Sequence, residues 1–467
     1  MSDHPFIQLH LGLGAFHRAH QAVYQQKLLD LGQSDWQLIS ANLRPNPDGS
    51  EQALIAQGGR YTLLTITSDG VEQYQQITAL HEIIPHAPGL AGVIRCGADP
   101  RTRIVSFTVT ESGYYLDGSG QLDAHIPELA QSLERTRASA AQQADGNIYS
   151  AISALLQARS TAGAGPVTLL NCDNLRHNGT RFRAALLRYL QLAGLDELHA
   201  WAQDNTSCPN AMVDRITPRP APELRLRVQA DTGVDDTAPV MAESYLQWVI
   251  EERFIAGRPR WEDVGVEMVA SVAPYEEAKI RILNASHSAI AWAGTLRGLN
   301  YIHQGLAVSE IHKIAHDYVS ENVIPCLNTP DNPINLPAYR DIVLARFANP
   351  AIADTNQRVA ADGFAKIPGF IAPTIRERLQ QDASIAATAI LPALFLAFLQ
   401  RWHQGQLSYS YHDQAMNPDV AHAICAAADP VAALCADVAL WGEMAGNLQL
   451  LSAVRHAFEH LSVKITS

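Results

Sequence analysis

A chain of 467 residues exceeds the roughly 250–300 residues that one hydrophobic core accommodates, so two domains are expected. The apolar share of 47% and charged share of 17% are those of a folded globular protein, and a net charge of −13 excludes a nucleic-acid surface, which needs clustered Lys and Arg. No apolar run approaches the ~20 residues that span a bilayer, the amino terminus lacks the basic start and apolar core of a signal peptide, and Cys96, Cys172, Cys208, Cys326, Cys425 and Cys435 form no CxxC, so reduced thiols and a cytoplasmic location are expected.

In chain order, residues 7–11 read as a short apolar strand, followed by a glycine turn and a helix over 16–31. Residues 36–43 form the next strand, and 103–109 (RIVSFTV) and 167–171 (VTLLN) are further buried strands separated by a helix around 147–159. Such alternation predicts a parallel sheet with helices on both faces. Residues 267–272 are the last convincing strand. Beyond them, 276–297, 308–318, 338–346, 385–400 and 448–460 carry apolar residues at helical spacing, with Pro392 expected to kink or split the fourth. The expected architecture is an α/β Rossmann-type nucleotide-binding domain over 1–270, followed by a mainly α-helical C-terminal domain over 271–467.

The first strand-to-helix turn, LHLGLGAFHR (9–18), carries Gly12 and Gly14. A pyrophosphate needs this arrangement, because no side chain blocks it and free N–H groups at the helix start face it. The third glycine of GxGxxG is replaced by His17. The second strand should end in a carboxylate for the adenosine ribose, yet it ends Ala41-Asn42-Leu43-Arg44, and the first acid is Asp48. Arg44 either faces a 2′-phosphate or is a solvated loop arginine; NAD is favoured over NADP.

Residues 275–287, YEEAKIRILNASH, are the most informative. With Lys279 set at zero on an α-helix, Glu276 falls at about 60°, His287 at about 80° and Asn284 at about 140°. Four polar groups share this arc with aliphatic neighbours. Together they read as a site; singly, each also fits a surface helix or a satisfied core histidine. Tyr275 and Lys279 form a YxxxK, the pair of short-chain dehydrogenases, but that family needs it inside the nucleotide domain with a TGxxxGxG turn that this chain lacks. The match is accidental.

GLGAFHRAHQ (12–21), TVTESGYY (108–115), NCDN (171–174), PNAMVDRITP (209–218) and the KxxxxNxxH element from Lys279 to His287 resemble the polyol-specific long-chain dehydrogenases, the mannitol dehydrogenase family, over essentially the whole chain. The resemblance implies an NAD-dependent, metal-independent oxidation of a sugar alcohol to a ketose. Lys279 is then the general base, its amine kept neutral by burial. Asn284 and Asn174 donate to the developing alkoxide, His287 orients the hydroxyl, and Glu276 passes the proton to solvent. Gly12, Gly14, Ala15, Phe16, Arg44, Asp48, Thr110 and Glu111 are implied as cofactor contacts. Arg358 and Lys366 are implied as substrate contacts, with solvated helix-end cations as the alternative. Asp214 either supports the site or pairs with Arg215.

Among substrates, D-arabinitol giving D-xylulose is expected first, mannitol giving fructose second, and a uronate third, since Arg358 and Lys366 suit a carboxylate. A zinc-dependent enzyme would need grouped Cys, His and Glu ligands, which the spacing does not offer. A silent NAD-binding sensor is the reading from another class; the joint presence of Lys279, both asparagines and His287 argues against it. Without a heptad seam or an interaction segment, a monomer is expected, with no nucleic-acid or membrane partner.

Overall fold

The computed structural model describes residues 4–118, 120–218, 220 and 222–461. The chain divides into two compact units, one of residues 1–66 and 72–273, the other of 67–71 and 274–467.

The first unit is built on a six-stranded parallel sheet of β1 (Phe6–Leu11), β2 (Trp36–Ala41), β5 (Leu80–Ile84), β6 (Thr102–Phe107), β7 (Val167–Asn171) and β8 (Thr206–Ser207), in the spatial order β5-β2-β1-β6-β7-β8. Counting only these strands, the order is 3-2-1-4-5-6, the dinucleotide-binding arrangement, with its reversal between β1 and β6. The central strands are buried along both faces, which explains their near-continuous apolar sequences. The expected Rossmann-type architecture is what the chain adopts.

Besides β5 and β8, five strands outside this sheet went unread in the sequence; a sixth, at Glu267–Val269, falls within the strand expected over 267–272. β3 (Tyr61–Ile66) pairs antiparallel with β4 (Glu72–Ile77) and parallel with β10 (Val240–Glu243). β11 (Gln247–Glu251) lies between β9 (Ala211–Asp214) and β12 (Glu267–Val269). β9, β10 and β11 are only four or five residues long and β4 (EQYQQI) is largely solvent-facing, so neither period nor apolar run marks them, whereas β3 (YTLLTI) does carry an apolar run.

The helix expected over 16–31 is two, Ala15–Ala19 and Gln21–Asp30, broken at His20 (φ −125°, ψ −84°). The His20 ring is anchored elsewhere: it stacks on Phe16, meets Trp248 edge-on, and its Nε2 bonds the Gln247 carbonyl at 2.9 Å. Those contacts draw its backbone off the helical path.

The second unit is helical among its described residues. Its principal core surrounds Ala285–Leu296 and Ala386–His403. Pro392 does not split the latter helix as expected; it removes one N–H donor, but residues 388–396 are all buried and packing holds the helix as one segment. No described helix is long and apolar enough to cross a membrane.

Candidate active site

In the first unit the glycine turn follows β1 at the sheet's reversal point. Gly12 adopts φ +116°, and a Cβ there would lie 2.5 Å from the Thr108 carbonyl oxygen, so only glycine fits. Around Gly14, by contrast, a Cβ would meet nothing within 4 Å. One glycine thus lets β1 approach the segment after β6, and the other leaves open space before Ala15 and Phe16 in the first helical turn. Open space at such a turn is what a pyrophosphate needs.

His17, at the third-glycine position, is fully buried. Its ring stacks on His10 at 3.6 Å with an interplanar angle of 5°, and its Nε2 and Nδ1 lie 3.0 Å from Ser40 Oγ and 3.3 Å from Gln21 Oε1. His10 reaches Ser106 Oγ at 2.9 Å and Thr108 Oγ1 at 3.3 Å. Burial pushes the His17 imidazole down to about 3 and that of His10 well below its ordinary value, so both rings are neutral hydrogen-bonding groups. Helix and sheet are joined here by polar contacts instead of by the close approach a third glycine would permit.

Asn42 occupies the position expected to be acidic. Its Oδ1 accepts the Leu13 N–H at 2.8 Å and its Nδ2 donates to Glu51 Oε2 at 2.7 Å, bracing the glycine turn. Arg44 is more than half exposed; it ion-pairs with Glu128 and donates to Tyr115 Oη at 3.0 Å. Asp48 accepts the Ser50 N–H at 2.8 Å in a local turn.

Thr110 (φ +66°) precedes the short turn Glu111–Tyr114. That loop is fastened by Asp173, whose carboxylate accepts the Val109 N–H at 3.0 Å, the Thr110 N–H at 2.9 Å and the Tyr114 hydroxyl at 2.9 Å. Burial raises the Asp173 carboxyl, and these donors oppose the rise. The segments beyond β6 and β7 are therefore tied together, with Asn174 exposed on the second of them. Asp214 is buried at the end of β9, opposite Gln247 of β11. Arg215 directs its guanidinium to the carbonyls of Ala19 (2.5 Å) and Glu243 (2.9 Å) and to Thr65 Oγ1 (3.4 Å).

At the start of the second unit, the helix Ala273–Ala278, whose first residue belongs to the first unit, runs into a π-helical turn over Lys279–Asn284 and then into Ala285–Leu296. Lys279 opens the π turn. A π turn holds more residues than the 3.6 of an α-helix, so each advances by less than ~100°. Asn284 and His287 are thereby carried round relative to their α-helical angles from Lys279, which corrects the arc read from the sequence. The Tyr318 hydroxyl donates to the Arg281 carbonyl inside this turn at 2.9 Å. The Arg281 side chain is clamped by Glu377 at 2.6 and 2.7 Å and by Glu277 at 2.7 Å.

Glu276 and Lys279 are buried, at 5% and 6% exposure, and Asn284 is half-buried. The His287 ring stacks on Phe347 at 4.3 Å, and its Nε2 lies 3.2 Å from Asp354 Oδ2. Asp354 in turn holds Arg358 through two bonds of 2.7 and 2.5 Å. Burial alone would raise the Asp354 carboxyl, but His287 and Arg358 outweigh it and hold it well below the usual range. Burial lowers the His287 imidazole against the opposing pull of Asp354, so the ring is neutral near pH 7. Lys366 closes the helix Gly363–Lys366, donates to the Val359 carbonyl at 2.6 Å, and is pushed down to about 8 by burial. Asp354, which links His287 to Arg358, was missed in the sequence reading. Its spacing of four from Arg358 was the available signal.

Residues 7–263 match the family model of the mannitol dehydrogenase Rossmann domain, and residues 271–462 that of the mannitol dehydrogenase C-terminal domain. A D-arabinitol 4-dehydrogenase of Ralstonia nicotianae is 54% identical over 452 residues, covering 96% of this chain and 95% of that protein. One from Klebsiella pneumoniae is 50% identical over 453 residues, covering 97% of each. Among solved structures, the mannitol 2-dehydrogenase of Pseudomonas fluorescens, in ternary complex with NAD and D-mannitol, aligns with a TM-score of 0.84 and 32% identity, covering 100% of this chain and 94% of that one.

Proposed function

The chain belongs to the mannitol dehydrogenase family, and from that premise we propose that it oxidises D-arabinitol to D-xylulose with NAD, without a metal, using Lys279 as general base. It is an NAD-dependent oxidoreductase of polyols. The substrate assignment rests on one observation: identity to two D-arabinitol 4-dehydrogenases, over nearly their full length, well above that to the mannitol 2-dehydrogenase. Mannitol and a uronate are the alternative substrates.

The cofactor supplies the hydride acceptor, and the open space at Gly14 beside the constrained Gly12 suits its pyrophosphate. Ala15, Phe16, Thr110 and Glu111 are assigned to the same ligand. Lys279 removes the proton of the reacting hydroxyl from a buried position. Glu276, one turn earlier, carries that proton onward. Asn284 and Asn174 are assigned to the alkoxide oxygen, where donors act most strongly as charge develops. Neutral His287, steadied by Asp354 and Phe347, orients a hydroxyl. Arg358 and Lys366 contact further substrate hydroxyls, and Asp214 supports the site. The protein is proposed to work as a cytoplasmic monomer, with its nucleotide domain ending at residue 270.

The test is NADH formation, followed by absorbance, with D-arabinitol, D-mannitol and a uronate reductase assay run in parallel. D-Arabinitol should give the highest kcat/KM, and a chelator should leave it unchanged. Lys279→Ala should lower kcat by at least ~10³-fold while NADH binding persists. Turnover by Lys279→Ala at the wild-type rate refutes the base assignment. NADH binding without turnover of any polyol favours a sensor.

A further inference from the structure

The residue expected to read the adenosine ribose is missing from its usual place. Asn42, just past β2, spends its amide on Leu13 and Glu51. The first charged side chain beyond it is Arg44, the residue type that holds the 2′-phosphate of NADP in this fold. Arg44 is nevertheless committed within the protein. Its Nε donates to the Gly146 carbonyl at 3.3 Å, and its Nη2 reaches both Tyr115 Oη and the Glu128 carboxylate. Gly146 is part of the arrangement, because a Cβ there would come within 2.8 Å of Arg44 Cγ; the arginine stem lies against that turn.

Arg44, Glu128 and Gly146 line a cavity of about 510 Å³, with His86 and Pro88 following β5 and with Arg135 and Asp145. Its volume lies within the range of small-molecule sites. Arg135 approaches Asp145 at 3.7 Å, so both cations of the lining face a carboxylate. Burial, with a hydrogen bond to Glu128, pushes the Tyr115 hydroxyl up to about 12, so it stays a neutral donor and acceptor.

We infer that Glu128, in the helix Pro127–Ser139, selects NAD against NADP by neutralising Arg44 and setting a negative charge beside it. A 2′-phosphate carries close to two negative charges near pH 7. Here it meets a carboxylate and an arginine already paired, whereas a 2′-hydroxyl can both donate to Glu128 and accept from Arg44 or Tyr115. Discrimination usually made by an acid at the end of β2 is made here by one that is 84 residues from Arg44 in the chain. The inference rests on nucleotide binding by the first unit.

The experiment measures dissociation constants of NADH and NADPH directly, by nucleotide fluorescence on the full chain. Glu128 is exposed, and Glu128→Gln removes its charge without emptying its volume. That variant should shrink the ratio of NADPH to NADH dissociation constants about tenfold, from one repulsion removed and one cation released. Adding Arg44→Ala should reverse the part of that gain that the released cation supplies. An unchanged ratio in Glu128→Gln overturns the inference, as does a gain that loss of Arg44 leaves undiminished. Wild-type protein that binds neither nucleotide removes the nucleotide reading and the inference together. NADH binding with an unmoved ratio removes the inference alone.

Discussion

Replacing Asp354 by Asn tests whether one carboxylate positions His287. Its side chain is only 9% exposed and lies between His287 Nε2 at 3.2 Å and the Arg358 guanidinium. Removing one partner from a buried ion pair can cost about 3–5 kcal/mol. Arg358 is 65% exposed, however, and water takes up its released charge, so that side contributes little. What remains is the 3.2 Å approach of the carboxylate to His287 Nε2, which lacks hydrogen-bond geometry and is worth on the order of 1 kcal/mol. We therefore expect a stability loss of about 1 kcal/mol and, from the loosened imidazole, a fall in kcat/KM of about 10- to 100-fold. The stability effect carries a pH signature. The Asp354 carboxyl is held below its free value of 3.8, so its contribution is complete above that pH and is lost as pH falls through its lower, folded value. Thermal midpoints of the two proteins should differ most at pH 5–7 and converge in acid. Polyol oxidation within twofold of wild type, together with equal midpoints at pH 6, refutes the reasoning.

Gly12→Ala should weaken NADH binding about tenfold or more and lower the thermal midpoint, because its Cβ meets the Thr108 carbonyl at 2.5 Å in a backbone conformation with φ +116°; unaltered NADH affinity contradicts this. Lys366, with its amine pushed down to about 8 from 10.5, penalises the folded state while protonated, and that penalty fades as pH rises between those values. Wild-type stability should therefore gain up to about 3 kcal/mol relative to Lys366→Met between pH 8 and pH 10.5. Parallel melting curves across that range contradict a buried amine.

The apolar runs of β1, β2, β6 and β7 announced a parallel sheet because strands buried on both faces have little choice of residue. The glycine turn was legible for a similar reason, since backbone sterics are local. Helical periods likewise marked the second unit, where Ala386–His403 survives its proline because its central stretch is buried.

What escaped was settled by residues far apart in the chain. β9, β10 and β11 are defined by partners rather than by patterns of their own, as in the pairing of Val240 with Leu63. The π turn after Lys279 has its carbonyl at Arg281 satisfied by Tyr318, 37 residues on, so no periodicity within 275–287 could give the angles of Asn284 and His287. Arg44 looked like a free cation until Glu128 was brought beside it, and His17 looked like a flaw in the glycine pattern until His10 and Ser40 enclosed it. Sequence alone determined the layers and the turn, through sterics and burial acting over a few residues. Hydrogen-bond partners and charge neutralisation belonged to the tertiary structure, because they exist only once chain closure has placed distant groups within about 3 Å.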